Sequence, residues 1–251
     1  MPVLSGPACV RCGDPLAGAP DSLLCRSCRL APPPFERAVA YASYEGRMRA
    51  AIHALKYDRM HPAARRLGGV LAQAIRKLRA EAPADLLVVP VPLHRSKLSQ
   101  RGFNQARALA EQAIAALRKS DPQWRLVLAP RTLLRQRATG TQAGLSPRQR
   151  RSNVRGAFHV ANADIVRGRD ILLIDDILTT GATARAASQA LKRAGAATVW
   201  VATLARAHRL FPVHTQVNAS ESIDQEREAR HRPGALDEPA TASMHSFHDS
   251  F

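Results

Sequence analysis

Two short apolar runs stand out along the chain: Leu86-Leu87-Val88-Val89-Pro90-Val91 and Ile171-Leu172-Leu173-Ile174. Runs this brief, rich in branched residues and bounded by polar ones, predict strands buried on both faces of a parallel sheet. Residues 38–44 alternate in the manner of a further short strand, and residues 124–128 and 197–204 supply two more. Helical spacing lies between them. Residues 45–57 carry Met48, Ile52 and Leu55 on one stripe, and a second helix follows Pro62 to about Ala82. A third carries Ala106, Leu109, Ala113, Ile114 and Leu117, and an alanine-rich helix runs to about Arg193. Strands alternating with helices predict an α/β fold with a parallel sheet.

Ala31-Pro32-Pro33-Pro34 interrupts both patterns and acts as a stiff spacer. Periodicity fades after about Arg206, and the last forty residues have the composition of a disordered tail. The expected organisation is therefore a small ribbon and spacer (1–34), an α/β domain (35–210) and a tail (211–251).

Charge sharpens this picture. Residues 211–251 hold seven acids and three basic residues, so the net +17 of the whole chain becomes +21 over residues 1–210. That excess predicts polyanionic company: nucleic acid, nucleotides or pyrophosphate. An arginine-rich surface with no such ligand is the competing reading. No apolar run approaches the roughly 20 residues of a membrane span, and the start lacks the basic-then-apolar order of a signal peptide. The expected location is cytoplasmic, without membrane insertion.

All four cysteines fall near the start, as Cys9-x-x-Cys12 and Cys25-x-x-Cys28. Two knuckles at this spacing predict a structural Zn²⁺ site of four thiolates, closed to catalysis. Gly13 supplies the backbone freedom that the first knuckle needs. Disulfides or reactive thiols are the alternative, which the missing secretion signal disfavours. So short a segment cannot bury a core, and metal would provide most of its folding free energy.

The run at 171–174 stops at Asp175-Asp176, which places two carboxylates at a strand's C-terminal edge, where open α/β sheets bind ligands. Thr179-Thr180-Gly181-Ala182-Thr183 then open the alanine-rich helix. A turn of small, hydroxylated residues at a helix start can aim N–H and hydroxyl groups at a phosphate. Carboxylates repel phosphate but suit the vicinal hydroxyls of a ribose. A sugar with a 5′-phosphate fits both halves. The alternatives are an Asp pair holding Mg²⁺ in another phosphate enzyme, or a merely polar strand end; no Gly-x-x-x-x-Gly-Lys loop occurs.

Two basic segments join these candidates. The run at 86–91 exits into a loop, residues 92–97, whose three basic or titratable groups (His94, Arg95 and Lys97) could grip a pyrophosphate, a merely solvated basic loop being the alternative. Residues 135–155 include Arg137, Arg148, Arg150 and Arg151 and no acid. Glycines at 140 and 144 and Pro147 predict a long loop followed by a short helical turn. A loop this long is usually functional or disordered, and its arginines suit a basic arm on nucleic-acid phosphates. Lys56 reads as a solvated helix end, with a phosphate-facing role as the alternative.

A hydrophobic strand followed by Asp-Asp and Thr-Thr-Gly-x-Thr resembles the phosphoribosyl pyrophosphate (PRPP) motif of type I phosphoribosyltransferases. Pro92-Leu93-His94-Arg95 with Arg101-Gly102-Phe103-Asn104-Gln105 is similar to the ComF family, phosphoribosyltransferase-like proteins linked to bacterial DNA uptake. Leu55-Lys56-Tyr57 and the segments 141–146 and 151–158 fit the same pattern, over about residues 9–206 in all. The resemblance implies a type I phosphoribosyltransferase-like parallel sheet flanked by helices, with a small N-terminal zinc ribbon. It implies Asp175 and Asp176 on the ribose hydroxyls and Thr179, Thr180, Gly181, Ala182 and Thr183 around the 5′-phosphate. Arg95, Ser96 and Lys97 would take the pyrophosphate, and Mg²⁺ would accompany PRPP. Arg137, Thr141, Gln142, Arg148 and Arg151 would belong to a flexible loop closing over the substrates. Turnover would move the phosphoribosyl group to an acceptor nitrogen and release pyrophosphate, although neither acceptor nor general base is legible. The second expectation is a non-enzymatic adaptor, binding single-stranded DNA or a DNA-uptake helicase and keeping the PRPP site as a sensor or relic. For Arg101 and Asn104 the sequence offers a helix cap and no more.

Overall fold

The computed structural model describes residues 6–16, 22–57, 61–137 and 146–207. Its strands are β1 (Arg37–Ser43), β2 (Asp85–Pro90), β3 (Arg125–Leu128), β4 (Leu133–Arg135), β5 (Phe158–Val160), β6 (Asp170–Leu178) and β7 (Thr198–Arg206). Its α-helices are α1 (Arg26–Leu30), α2 (Gly46–Tyr57), α3 (His61–Arg76), α4 (Arg95–Arg101), α5 (Gln105–Ser120), α6 (Pro147–Val154) and α7 (Ala182–Arg193). Five strands pair in the order β1-β7-β6-β2-β3, every pair parallel. The expected parallel sheet flanked by helices is what the chain builds.

Successive side chains of a strand point to opposite faces, and here both faces are covered. Leu86, Val88, Leu172, Ile174 and Trp200 pack with α2, α3 and α5. Leu87, Val89, Ile171, Leu173 and Val201 pack with α7 and the four cysteines. That two-sided burial is why the strands read as unbroken apolar runs. On the first face α3 and α5 approach so closely that a Cβ at Gly68 would lie 2.2 Å from the Gln112 Cβ.

The order of the strands makes a crevice. From β2 the chain passes through α4 and α5 to β3, whereas from β6 it passes through α7 to β7 in the opposite direction. Right-handed crossovers running in opposed directions put α5 and α7 on opposite faces, and the sheet's C-terminal edge opens between β2 and β6. The β2–β6 ladder ends at Pro90↔Ile174, while β6 continues beside β7 to Leu178↔Arg206. The carboxylates therefore do not follow the end of the strand, as the sequence suggests. They lie within it, where pairing with β7 carries the ladder past polar residues after β2 has departed.

Three segments differ from expectation. Residues 95–97 form the first turn of α4 instead of a loop, because His94 caps the helix by accepting the Ser96 N–H at its Nδ1, 3.3 Å away. The helix after Pro62 ends at Arg76, and hydrogen-bonded turns carry the chain to Ala82. Within 135–155 a helix of eight residues, α6, starts on a reciprocal Ser146–Gln149 cap with Pro147 in its first turn. The segment is bracketed by the antiparallel pair β4–β5, with Arg135↔Phe158 in register. Thr141, Gln142 and the tail from 211 lie outside the described residues. Among the described residues no helix is long and apolar enough to cross a membrane.

Candidate functional site

Both carboxylates of the crevice are held by the next amide along the chain. Asp175 Oδ1 accepts the Asp176 N–H and Asp176 Oδ1 accepts the Ile177 N–H, each at 2.9 Å. Asp176 is only 5% exposed, and its Oδ2 meets the Lys56 ammonium at 2.6 Å. Burial pulls the Lys56 ammonium down, but the charge of Asp176 and the hydrogen bond to it outweigh burial and raise its pKa above the ordinary value. Asp175 is pushed well above the usual carboxylate range, first by burial and then by the charge of Asp176. Lys56, which reads as a solvated helix end, instead reaches the carboxylates from the last turn of α2.

Directly after β6, Gly181 takes the left-handed conformation at φ 75° and precedes the first residue of α7. A residue with a Cβ is strained there. Thr180 Oγ1 accepts the Ala182 N–H at 3.4 Å, and the first turn of α7 contains no acid. Thr179, Thr180 and Thr183 are half-buried, while Gly181 and Ala182 are buried. The turn thus gathers backbone N–H groups and hydroxyls at the positive end of a helix of 12 residues.

Cations collect on the other flank. The Lys97 ammonium is pushed down by burial and then by Arg135, Arg101 and Lys56. Arg135, whose guanidinium lies 5.4 Å from the centre of the Phe158 ring, is lowered by burial against the pull of Asp175. Lys97 therefore stands within electrostatic reach of Arg135, Arg101 and Lys56, and of these Arg135 and Lys56 also reach Asp175. Arg135 was not among the pyrophosphate candidates of the sequence. Arg95 was, yet it lies two residues from Lys97 on α4, and positions i and i+2 of a helix do not face the same way. It lines an adjoining cavity with Leu98, Arg131 and Arg135 itself.

The remaining candidates have local partners. The Ser96 hydroxyl lies 2.9 Å from His94 Nδ1. Arg137 donates to the carbonyls of Asn153 and Arg155, each at 3.0 Å, closing the C-terminal end of α6. Arg148 and Arg151 fall within α6 itself. Asn104 caps α5 through its Oδ1 and donates its Nδ2 to the Val91 carbonyl, tying the helix start to the end of β2.

On the α7 face, the sulfurs of Cys9, Cys12, Cys25 and Cys28 lie within 4.8 Å of one another, and none is in a disulfide. Sulfurs at about 2.3 Å from a shared tetrahedral centre stand about 3.8 Å apart; Cys12 and Cys25 are separated by 3.7 Å. The donor set fits a thiophilic tetrahedral ion such as zinc. Gly13 takes φ 67° as the first knuckle requires. The cluster is joined to the sheet: the Arg11 carbonyl accepts the Ala38 N–H of β1 at 2.8 Å. Arg206, at the end of β7 and 4% exposed, pairs with Asp14 at 2.9 Å and points a second contact of 3.9 Å at the Cys12 sulfur.

Known proteins resemble this chain in the same terms. The phosphoribosyl transferase domain family matches residues 102–224. DNA utilization protein YhgH of Salmonella typhi is 36% identical over 201 residues, covering 79% of this chain and 83% of that protein. Its Escherichia coli K12 counterpart is 35% identical over 200 residues, with the same coverage. Competence protein F of Haemophilus influenzae is 29% identical over 208 residues, covering 82% of this chain and 87% of that one. Among solved structures, a B. subtilis glutamine PRPP amidotransferase complexed with ADP and GMP aligns at 24% identity and a TM-score of 0.32. The alignment spans 56% of this chain and 26% of that one.

Proposed function

Given that the chain belongs to the ComF family of phosphoribosyltransferase-like proteins, we propose that it binds a ribose phosphate, PRPP foremost, in the crevice between β2 and β6. One observation carries this reading: two adjacent carboxylates, Asp176 buried and Asp175 half-buried and raised in pKa by its surroundings, immediately precede an acid-free helix start. In this proposal Asp175 and Asp176 accept the ribose 2′- and 3′-hydroxyls, while residues 179–183 surround the 5′-phosphate. Lys97, Arg101 and Arg135 hold the pyrophosphate, with Arg95 and Ser96 at its margin. In the same proposal the segment bearing Thr141, Gln142, Arg148 and Arg151 closes over the ligand, and Arg137 anchors its helical end.

The hard oxygen donors of Asp175 and Asp176 suit Mg²⁺. Bound with PRPP, Mg²⁺ supplies charge neutralisation. The protein's own part in a transfer is positioning and leaving-group stabilisation. Asp175 and Asp176 fix the ribose, so that an acceptor nitrogen meets C1′ in line as pyrophosphate departs toward Lys97, Arg101 and Arg135.

A second reading keeps the ligand site as a sensor and makes the protein an adaptor for single-stranded DNA or a helicase. It draws on the +21 charge of residues 1–210 and on relatives named for DNA utilization and competence. Either activity suits a cytoplasmic protein organised as ribbon (1–34), sheet domain (35–210) and tail (211–251).

Isothermal titration with PRPP and Mg²⁺ should give saturable heat at about one site per chain, as a single crevice requires. Absence of heat at millimolar ligand overturns the proposal. Pyrophosphate release across a panel of nucleobases and nucleic acids then separates enzyme from sensor. For the cysteine cluster, metal analysis of protein purified without chelator should find about one zinc per chain. Strong chelation should then increase proteolysis before residue 35 while the sheet persists. A zinc-free folded protein excludes the metal.

A further inference from the structure

Beside the crevice, and sharing Arg95 and Arg135 with the pyrophosphate grip just proposed, lies a cavity of about 1040 Å³. It is walled by the starts of α4 and α5, the turn after β3, and the β4–β5 pair. That volume is at the upper end of the roughly 300–1,000 Å³ of a small-molecule site. Arg95, Arg107, Arg131 and Arg135 line it against one carboxylate, Glu111, which Arg107 engages at 2.8 Å. A concave surface with three further guanidiniums and no second acid focuses positive potential inward.

The rest of the lining is not what a bare anion site needs. Leu98 and Leu134, both exposed large hydrophobics, face the cavity together with Phe103 and Leu93. Phe103 packs against the core, so its ring is anchored. Apolar side chains left exposed in a basic hollow suit a ligand that is anionic at one end and flat and apolar at the other. Stacking a base on an aromatic or apolar floor while arginines hold its phosphate is a general way to bind nucleotides without reading their sequence.

We propose that this cavity is a second ligand site, for a nucleotide unit whose phosphate meets Arg131 and Arg95 and whose ring lies against Phe103 and Leu134. The unit is either a free nucleotide or a residue of a single strand. The proposal does not rest on PRPP binding in the crevice.

The test uses the full chain with AMP, followed by ligand-observed NMR, and a labelled oligothymidylate of about 12 residues, followed by anisotropy. Saturable binding of AMP assigns a free nucleotide; binding of the oligothymidylate alone assigns a strand. In either case Arg131→Glu and Leu134→Glu should each weaken binding by about ten-fold or more, and Asp175→Asn with Asp176→Asn should leave it in place. Arg131→Glu should also retain the PRPP heat, which separates failure of this site from failure of the crevice. Saturable binding of neither probe overturns the assignment. So does unchanged affinity in both glutamate variants, or a duplex of equal length that binds as tightly as the single strand.

Discussion

Asp175→Asn raises the melting temperature of the free protein at neutral pH and lowers its affinity for PRPP. The gain follows from linkage. In the fold the Asp175 carboxyl titrates above its unfolded value, because burial and the Asp176 charge disfavour ionisation. Between the ordinary carboxylate pKa and the raised one, the native state binds more protons than the unfolded state, so stability falls as pH rises through that window. Above it, the wild type carries the full cost of a buried charge. Asparagine keeps an oxygen for the Asp176 N–H and carries none of that cost. The melting-temperature difference should therefore vanish at the acidic end of the window and grow toward neutral pH. The affinity loss has a different origin. A charged acceptor for a ribose hydroxyl is worth about 1.5–3 kcal/mol, or roughly 10- to 150-fold in dissociation constant. Melting curves from pH 4 to 8 and PRPP titrations check both halves. An unaltered affinity in the folded variant removes Asp175 from the site.

Lys56→Met has the opposite character. Asp176 loses the ammonium at 2.6 Å and is left as a buried carboxylate without its counter-charge. Breaking such a pair from one side costs about 3–5 kcal/mol, which at roughly 2–4 °C per kcal/mol lowers the melting temperature by about 6–20 °C. Removing both charges is far milder, since apolar replacement of a whole buried pair is often neutral. The double variant Lys56→Met, Asp176→Leu should therefore regain most of the loss. A third signature is alkaline. With its folded pKa raised, Lys56 contributes stability that is present below its unfolded pKa and lost as pH rises through the folded one. A single variant melting within about 2 °C of wild type would mean that the pair is solvated.

How much of this was legible depends on how local each signal is. The strand at 171–174, the threonine turn and the cysteine knuckles are written in neighbouring residues, and their positions follow from spacing alone. The α/β order is legible for the same reason: buried parallel strands are unbroken apolar runs. What failed was long-range. Lys56 belongs to the site through a contact 120 positions away, which no helical pattern marks. Leu133-Leu134-Arg135 and Phe158-His159-Val160 are too short to read as strands separately, and only their pairing aims Arg135 toward Asp175. The helix at 95–101 has no apolar stripe, since all seven of its residues stay at least partly exposed. Its signals are a histidine cap and Gly102 at φ 79° after its last turn. The Ser146-Pro147-Arg148-Gln149 box was the one start signal present in the sequence from which more helix could have been expected.

The sheet order also bears on how the molecule is assembled. β1 lies at one edge of the five-stranded sheet with β7 as its paired strand, Ala38 opposite Val201 and Ala42 opposite Ala205. During synthesis β1 must wait for β7, because parallel partners so distant in sequence are slow to meet. A nascent chain truncated before β7 therefore displays an unpaired apolar edge open to association. The strand made earliest is the one that finds its neighbour latest.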